Sequence, residues 1–453
     1  MQSRWWLLGF VLVSASTYLA WHVMAESVVA SPEKLPAPRA VLLPAQYVGA
    51  GSCAAAACHN GHFTNGNTSS EYTLWVTRDP HARAYESLFD ERSKLIQKNL
   101  QRSTFAHEDS RCLKCHVAPD FDASLEKKAP YYRTDGVSCE SCHGAAEHWL
   151  NVHHLTAWKN MSQAEKKRQG MRDTQSLAGR AQLCVTCHVG VPGMDVDHDL
   201  IAAGHPRLHF EFAAFHAFMP RHWPDAKDRD FEARTWLTGQ LVAAQASLEL
   251  LADRAGDLKK PWPEFAEHDC AACHQNLQFS GVRQQKGFGN RQPGALPWGH
   301  SVSLTHRALR TIQEPGDIQF ATLVGKLQQA MDTGRPNRND LTLNARGAAA
   351  RLKPWITKLD QQPLDLKEMT TQLSFVLTKE SQIGNPSADE ITQLYLGLAA
   401  LVANEERMFP DSSQKQRIHV PRTPGLGAQR SYDPGAIRHR LLELKKLGPS
   451  RER

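Results

Sequence analysis

Residues 136–144 read GVSCESCHG, and within them two cysteines three positions apart are followed at once by a histidine. The same arrangement recurs at four other places, so the ten cysteines of the chain all fall into five close pairs. Four of these motifs are C-x-x-C-H, and the first is C-x-x-x-x-C-H. The cysteine pairs are Cys53 and Cys58, Cys112 and Cys115, Cys139 and Cys142, Cys184 and Cys187, and Cys270 and Cys273, and the histidines that follow them are His59, His116, His143, His188 and His274.

Three kinds of site compete for these motifs. An exported chain with an even number of cysteines is compatible with a disulfide framework, and close cysteine pairs are also typical zinc ligands. Neither explains the histidine, which at 22 in 453 residues has a chance of roughly 3 in 10 million of following all five pairs. Covalent haem attachment does explain it, because the thiols add to two vinyl groups and the histidine becomes the proximal iron ligand. The motifs therefore predict five haem c groups.

The formal net charge of the chain is +6, a value that by itself favours nucleic acid or an anionic membrane as a partner. Each ferric haem with its two propionates contributes about −1, so five haems bring roughly −5 and the holoprotein lies near neutrality. We therefore predict no nucleic-acid partner. The length of 453 residues is enough for two or three domains.

Residues 1–25 have the features of an export signal, namely Arg4, an apolar stretch over 5–21, and a small residue, Ala25, before Glu26. An uncleaved N-terminal anchor is the alternative, and only that alternative brings the protein into contact with the membrane. Both interpretations place the body of the protein in the periplasm. Residues 26–46 are rich in Pro and Ala, and we predict an extended linker there.

The five motifs lie within residues 53–274, so we predict one pentahaem cytochrome c domain over 47–300. Closely packed haems, short helices and irregular loops are expected there, because little chain separates one motif from the next. A longer helix is predicted at 230–255 from apolar residues that recur on one face. These residues are Trp236, Leu237, Leu241, Leu248 and Leu251.

Beyond residue 300 the chain has no cysteine, and its apolar residues recur with helical spacing. Helices are predicted at 302–312, 318–331, 341–359 with a break before Pro354, 364–379, 387–408 and 436–447. Residues 409–434 are rich in Pro, Gly, Ser and charge, which predicts a disordered loop. We therefore expect 301–453 to form an α-helical domain, a bundle, and the whole chain to be mainly α with little sheet.

At its motifs the sequence resembles the cytochrome c554-like multihaem cytochromes, a group related to hydroxylamine oxidoreductase and pentahaem nitrite reductase. Residues 75–85, WVTRDPHARAY, resemble the family segment W-x-x-S-x-H-A-x-A, and residues 136–144 match its G-V-x-C-E-S-C-H-G. Residues 203–208, AGHPRL, followed by FE at 210–211, are similar to a segment of larger family members. The resemblance covers about 47–300.

The sequence also departs from the family. Its first motif has four residues between the cysteines where the c554 type has two, and it has a fifth haem motif where that type has four. No C-x-x-C-K motif is present, which weighs against the lysine-ligated active site of pentahaem nitrite reductases. No haem-crosslinking tyrosine is recognisable, so a hydroxylamine-oxidising site is unsupported.

The resemblance also implies distal histidines, which bind the iron from the side opposite the motif histidine. His81 corresponds to the residue that caps the haem of the fourth motif, and His205 to the residue that caps the third haem. His153 follows the third motif at about the family's spacing and would cap the first haem, with His154 and His148 as rivals. Pairs of histidines on one iron suit low-potential electron transfer.

Two haems are left without a family-matched ligand. His107 lies just before the second motif and is the candidate for the second haem, whose iron has an open face in the c554 type. For the fifth haem His300 is a guess. The alternatives for that haem are His62, His222, His268 and His306.

Electron transfer through five haems is the function that these features favour, with redox proteins as electron donor and acceptor. A quinone-linked membrane complex is a further partner to consider, docked through the C-terminal helices. The alternative is a small-molecule oxidoreductase that acts on nitrogen or sulfur compounds at one five-coordinate haem. The sequence does not decide whether the protein is an enzyme, and no catalytic residue is assigned.

Overall fold

The structure is a computed structural model, and it describes residues 45–61, 69–119, 133–221, 230–268, 317–333 and 335–361. Single positions outside these ranges are also described, namely 223, 228, 274, 302, 305, 393, 396–397, 399–400 and 403–404. Within this part of the chain the regular structure is helical, and the only strand-like pairing is an isolated antiparallel bridge between Val191 and Met194. The expectation of a mainly α protein with little sheet is confirmed.

Twelve α-helices lie in the described part of the chain. They are α1 (Glu71–Arg78), α2 (Glu91–Asn99), α3 (Ser110–His116), α4 (Cys139–His143), α5 (Thr156–Lys159), α6 (Gln163–Arg168), α7 (Leu177–His188), α8 (His198–Ala203), α9 (Phe212–Phe218), α10 (Phe231–Gly256), α11 (Asp317–Met331) and α12 (Arg338–Gln361). Short 3-10 helices occupy Ala50–Cys53, Pro80–Arg83, Glu86–Phe89 and Phe265–Glu267.

The chain divides into two compact units. In the smaller unit the structure describes residues 148–170, which carry α5 and α6 around the buried rings of Trp149 and Trp158. A capping box begins α6, because Ser162 and Glu165 each bond the backbone N–H of the other. The larger unit holds the rest of the described chain, including all four cysteine motifs that are described in full.

Helix α10 forms the centre of the main hydrophobic core. It spans Phe231–Gly256 after the N-cap residue Asp230, which agrees with the helix predicted at 230–255. The five apolar residues predicted for its buried face are all 1% exposed or less. Its burial extends around most of the helix and not along a single face, because α7, α9 and α12 all pack against it.

Helix α12 runs unbroken from Arg338 to Gln361 through Pro354, so the predicted break before this proline is wrong. Proline removes one backbone hydrogen bond from a helix interior. Burial of Leu352, Trp355 and Ile356 on both sides of the proline offsets this loss, since these side chains pack into the core around α10. Helix α11 confirms the helix predicted at 318–331 and packs against α12.

Several predictions fall outside the described residues. These are the export signal at 1–25, most of the linker at 26–46, nearly all of the helices at 302–312, 364–379, 387–408 and 436–447, and the loop at 409–434. The C-terminal bundle and the boundary at residue 300 therefore stay predictions. Among the described helices, none is long and apolar enough to span a membrane.

Two glycines inside helices test how tightly this core is packed. A Cβ atom at Gly239 of α10 would overlap the Phe212 side chain, whereas one at Gly325 of α11 would meet nothing within 4 Å. We expect Gly239→Ala to lower the free energy of unfolding by about 1–3 kcal/mol through overpacking. Gly325→Ala should raise it by about 0.5–1 kcal/mol, because alanine is the better helix former. Guanidinium unfolding followed by circular dichroism measures both, and equal changes would contradict the packing described.

Candidate haem-attachment site

Three of the cysteine motifs form the last turn of a helix. Helices α3, α4 and α7 end at His116, His143 and His188, so each motif histidine is the final helical residue. Cysteines three positions apart lie on the same side of a helix, which points both thiols of a motif in one direction. The first motif differs, because Cys53 ends a 3-10 helix and its four-residue spacer forms a turn. Of the fifth motif only His274 is described.

The thiols of different motifs lie next to one another. The Cys53 and Cys139 thiols lie close enough to shift each other's pKa, which places the first motif beside the third. The Cys115 and Cys187 thiols do the same, which places the second motif beside the fourth. The fold thus brings together motifs that are far apart in the sequence.

The eight described cysteines are free, and all are half-buried except Cys58, which is exposed. Burial raises the pKa of Cys112 and Cys142 to about 11 and that of Cys184 to about 12, so these groups stay protonated at neutral pH. None of the eight cysteines in the described part of the chain forms a disulfide. A disulfide framework therefore gains no support from these four motifs.

Three motif histidines bind a protein oxygen through Nδ1. These bonds join His59 to Glu71 Oε2 at 3.0 Å, His116 to the Ala84 carbonyl at 2.8 Å, and His143 to Thr174 Oγ1 at 3.3 Å. A proton on Nδ1 that is donated to such an oxygen makes Nε2 the nitrogen that carries the lone pair. This is the arrangement of a metal-binding histidine, in which the other ring nitrogen fixes tautomer and orientation. The donor set therefore fits an axial ligand of haem iron.

His81 lies opposite the histidine of the fourth motif. The ring centroids of His81 and His188 are 6.0 Å apart. Two imidazoles that bind one metal through nitrogen at about 2 Å each have ring centres about 6 Å apart, so this separation leaves room for one metal atom. His81 Nδ1 lies 2.8 Å from Oδ1 of the buried Asp79. Burial opposes the charge of His81, but the Asp79 carboxylate outweighs it and raises the pKa of the imidazole.

His153 belongs to the smaller unit and shows the same anchoring. Its Nδ1 lies 2.7 Å from the Leu150 carbonyl oxygen, and its ring packs edge-on against Trp149 at 5.5 Å. The rival His154 lies beside it, with ring centroids 6.0 Å apart. The role of His153 at the first haem stays a prediction.

His107 lies within a stack of aromatic rings. Its imidazole is nearly parallel to Phe89 at 4.2 Å and to Phe105 at 5.4 Å, and both phenylalanines are about half exposed or more. Its Nε2 lies 3.9 Å from Glu108. The described contacts of the His107 ring are with Phe89, Phe105 and Glu108, and none is with a residue of the second motif. The bond of His107 to the second iron therefore stays a prediction.

His205 follows helix α8, and its Nδ1 lies 2.8 Å from the Pro206 carbonyl. The end of α8 is attached to α2, where Asn99 Nδ2 donates to the Ala203 carbonyl at 2.9 Å and Ile96 packs in the same small cluster. The position of this loop is therefore set by α2.

Helix α2 also contacts the second motif, since Gln97 Nε2 lies 3.8 Å from Cys112 Sγ. Burial lowers the pKa of His205, the Pro206 carbonyl acts against this, and the charge of His116 in the second motif lowers it further. The structure thus brings His205 near the second motif. Its assignment to the third haem rests on the resemblance alone and stays a prediction.

A histidine absent from the candidates lies close to the histidine of the fifth motif. His198, at the start of α8, has its ring centroid 6.4 Å from that of His274. No short motif marks His198 in the sequence, and it is separated from His274 by 76 positions of chain. His268 is buried beside Phe265, whereas His62, His222, His300 and His306 lie outside the described residues.

The acidic anchors Glu71 and Asp79 were also missed. Asp79 has a recognisable signal, because it stands two positions before His81 and its carboxylate bonds both the backbone N–H and the ring of that residue. Glu71 has no such signal, since it is 12 positions from His59.

Two of the three family-like segments, 75–85 and 136–144, contact each other directly. Trp75 Nε1 donates to the Val137 carbonyl at 3.1 Å, and the Val137 N–H donates to the His81 carbonyl at 3.0 Å. Gly136 has a positive φ of 61°, and a Cβ there would lie 2.7 Å from the His81 carbonyl oxygen. Only glycine allows this close approach, which gives a physical reason for the glycine that opens the third motif.

The spacer of the third motif ties the N-terminal segment to the haem region. Glu140 is 1% exposed, and its carboxylate accepts three backbone N–H groups. These donors are Val48 at 3.0 Å, Gly49 at 2.8 Å and Ala146 at 2.8 Å. The next residue, Ser141, donates its hydroxyl to the Val117 carbonyl at 2.8 Å, just after the second motif. Two residues between the cysteines thus hold the surroundings of three motifs together.

Glu211 is a buried carboxyl next to the fourth motif. It caps α9 by accepting the N–H groups of Ala213 at 3.0 Å and Ala214 at 2.7 Å. Its neighbour Phe210 stacks on the His188 ring at 5.7 Å. Burial raises the pKa of Glu211 to about 7, against which the two N–H bonds act only in part.

The described residues contain no group of three or more His, Cys, Asp or Glu side chains placed to hold a metal ion. Haem iron needs only two axial ligands from the protein, because the porphyrin supplies the others. Pairs of histidines are therefore the arrangement to expect.

Paired thiols followed at once by a histidine, with that histidine anchored at three of the motifs, are the features of a c-type cytochrome. The model of a family described as cytochrome c554 and c-prime matches residues 53–144 and 145–203, so this region, about a third of the chain with the first four motifs, is cytochrome c554-like. This confirms the resemblance to the cytochrome c554-like proteins over residues 53–203, whereas the relation to hydroxylamine oxidoreductase and pentahaem nitrite reductase stays a prediction. No curated protein and no solved structure matches the chain.

The Glu140 contacts predict a large effect of removing one carboxylate oxygen. Glu140→Gln places an amide NH2 against N–H donors, so we expect the free energy of unfolding to fall by about 1–3 kcal/mol. Glu147→Gln is the matched control, because Glu147 is exposed and accepts one N–H, that of Gln46 at 2.9 Å. Its effect should stay within about 0.5 kcal/mol. Chemical unfolding of both variants measures this, and similar effects would argue against the structural role of Glu140.

Glu211 predicts a pH dependence of stability. Because its folded-state pKa is raised above the unfolded value, its contribution is fully present below about pH 4.5 and is lost as the pH rises to about 7. The free energy of unfolding should therefore fall by about 2–3 kcal/mol over this window from this group alone. Comparing wild type with Glu211→Gln at about pH 5 and pH 8 isolates the effect. A difference between the two proteins that is independent of pH would contradict it.

Proposed function

We propose that the protein transfers electrons in the periplasm through five covalently attached c-type haems. The family match supports a c-type cytochrome with haem c and a role in electron transfer. The observation that carries the proposal is the anchoring of the motif histidines. A carboxylate and a carbonyl at the first two motifs make Nε2 the metal-binding nitrogen, and the Thr174 hydroxyl orients the ring at the third. The count of five follows from the five motifs.

Each haem would be held by the two cysteines of its motif and the histidine that follows. Haem supplies an iron atom that alternates between ferric and ferrous states, and two axial histidines favour low potentials. For the fourth haem we propose His81 as the sixth ligand, supported by its 6.0 Å separation from His188 and by the Asp79 carboxylate behind it. For the first haem we keep His153 as the proposed ligand.

The oxygens that bond Nδ1 of the histidines differ in charge, and this difference would give the haems different reduction potentials. Carboxylates bond His59 and His81, whereas a carbonyl bonds His116 and a hydroxyl bonds His143. A carboxylate on Nδ1 makes the imidazole more basic and favours the ferric iron. We expect the first and fourth haems to have lower potentials than the second and third.

The contacts between motifs support a continuous path for electrons. The first motif lies against the third and the second against the fourth, so haems on them would be close neighbours. The proposed partners are redox proteins that donate and accept electrons, among them a quinone-linked membrane complex. The protein's own task is to hold spacing and orientation, so that little reorganisation accompanies each transfer.

The proposal predicts a haem count and an electron count. The intact mass should exceed that of the processed chain by five haems, and reductive titration should take up five electrons per molecule. Turnover of hydroxylamine, nitrite or tetrathionate should not exceed that of free haem. Fewer haems would contradict the count, and rapid turnover of any of the three compounds would favour an enzyme.

His81→Met tests the ligand at the fourth haem. Five haems should remain attached, while one potential rises by on the order of 0.1 V, because methionine is the weaker donor to ferric iron. His107→Met is the parallel test of the ligand predicted for the second haem, since His107 lies in a stack with Phe89 and Phe105. All five potentials unchanged in His81→Met would contradict the assignment of His81 to the fourth haem, whatever the result for His107→Met.

A further inference from the structure

Two loops of the larger unit converge on the histidine of the fifth motif. One loop leads into α8, whose first residue is His198. The other loop follows α10 and includes residues 264–268, which precede Cys270 and Cys273 in the sequence. The ring centroids of His198 and His274 are 6.4 Å apart, with 26° between their planes. This separation is similar to the 6.0 Å between His81 and His188.

The backbone of His198 is held by the second loop. Its N–H donates to Glu264 Oε1 at 2.9 Å, and the same oxygen accepts the Ala266 N–H at 2.8 Å. The Phe265 ring packs edge-on against the His198 ring at 5.7 Å. The start of α8 and the approach to the fifth motif therefore form one local structure.

A buried arginine of α10 forms ion pairs with both of these loops. Arg254 of α10 is 5% exposed and forms ion pairs with Asp195 at 2.6 Å and with Glu267 at 2.7 Å. It also donates to the Val196 carbonyl at 3.1 Å. Burial disfavours the charge of Arg254, but the two carboxylates outweigh it and raise its pKa. Breaking such a buried pair is costly, so the position of His198 is strongly determined.

We propose that His198 is the sixth ligand of the fifth haem, bound to the iron opposite His274. The inference rests on the proposed function, since it requires haem at Cys270 and Cys273. It replaces His300, the candidate that the sequence analysis named for this position. It also makes the fifth haem six-coordinate, so that this iron transfers electrons and does not bind small molecules.

The anchoring of His198 differs from that of the other ligands. The first three motif histidines and His81 are oriented through Nδ1, whereas His198 is oriented through its backbone N–H and the neighbouring Phe265.

The experiment compares three conservative variants of the full holoprotein, His198→Gln, His268→Gln and His300→Gln. Haem on the peptide that contains 270–274 is first measured by mass spectrometry, and ferric spin states are then measured by electron paramagnetic resonance. We expect all variants to keep five haems. Only His198→Gln should gain a high-spin signal, equal to one fifth of the total iron, and added imidazole should return it to low spin.

Each outcome decides a separate point. A new high-spin signal in His268→Gln or His300→Gln, or no change in any variant, would overturn the assignment of His198 while leaving five haems in place. A signal in His198→Gln that imidazole does not reverse would mean general disruption and would also overturn it. Absence of haem from the 270–274 peptide of the wild type would refute both this ligand and the proposed count of five.

Discussion

The bond from imidazole Nδ1 to a protein oxygen is the interaction on which the site depends. It occurs at His59, His81, His116 and His143, although the oxygen comes in turn from a carboxylate, a carbonyl or a hydroxyl. Where the oxygen belongs to a carboxylate or a carbonyl, Nδ1 must donate and Nε2 carries the lone pair, and all four bonds orient the ring. The surrounding helices and loops are placed so that these oxygens meet the rings, which is why short irregular elements dominate this region.

Buried hydrogen bonds and ion pairs hold together the parts of the chain around the motifs, and around the first three no large apolar core is described. The extended core lies around α10, whereas the first three motifs are surrounded only by small apolar clusters. There Glu140 joins the N-terminal segment to the third motif, and Ser141 joins that motif to the chain after the second. Arg254 has the same effect at the fifth motif. Such bonds are directional, so they define where each motif lies as well as holding it.

Elements with a strong local pattern were predictable. The helix at 230–255 followed from its apolar period, and the helical class and the c554-like character followed from pattern and motif. The break before Pro354 was wrong, because burial against α10 outweighs the local preference of proline. The burial of α10 on several sides could not be predicted from its sequence either, since its partner α12 is about 100 residues away in the chain.

The sequence by itself identified the proposed attachment cysteines and proximal histidines, because covalent attachment needs residues that are adjacent in the chain. The tertiary structure showed that His81 lies near His188, as the family resemblance had indicated, and that His198 lies near His274, which no pattern in the sequence had indicated. His81 stands 107 positions before His188, and His198 stands 76 before His274, so chain spacing carries no information about either pair. A second axial ligand is selected by packing, because it only has to reach the opposite side of one metal atom.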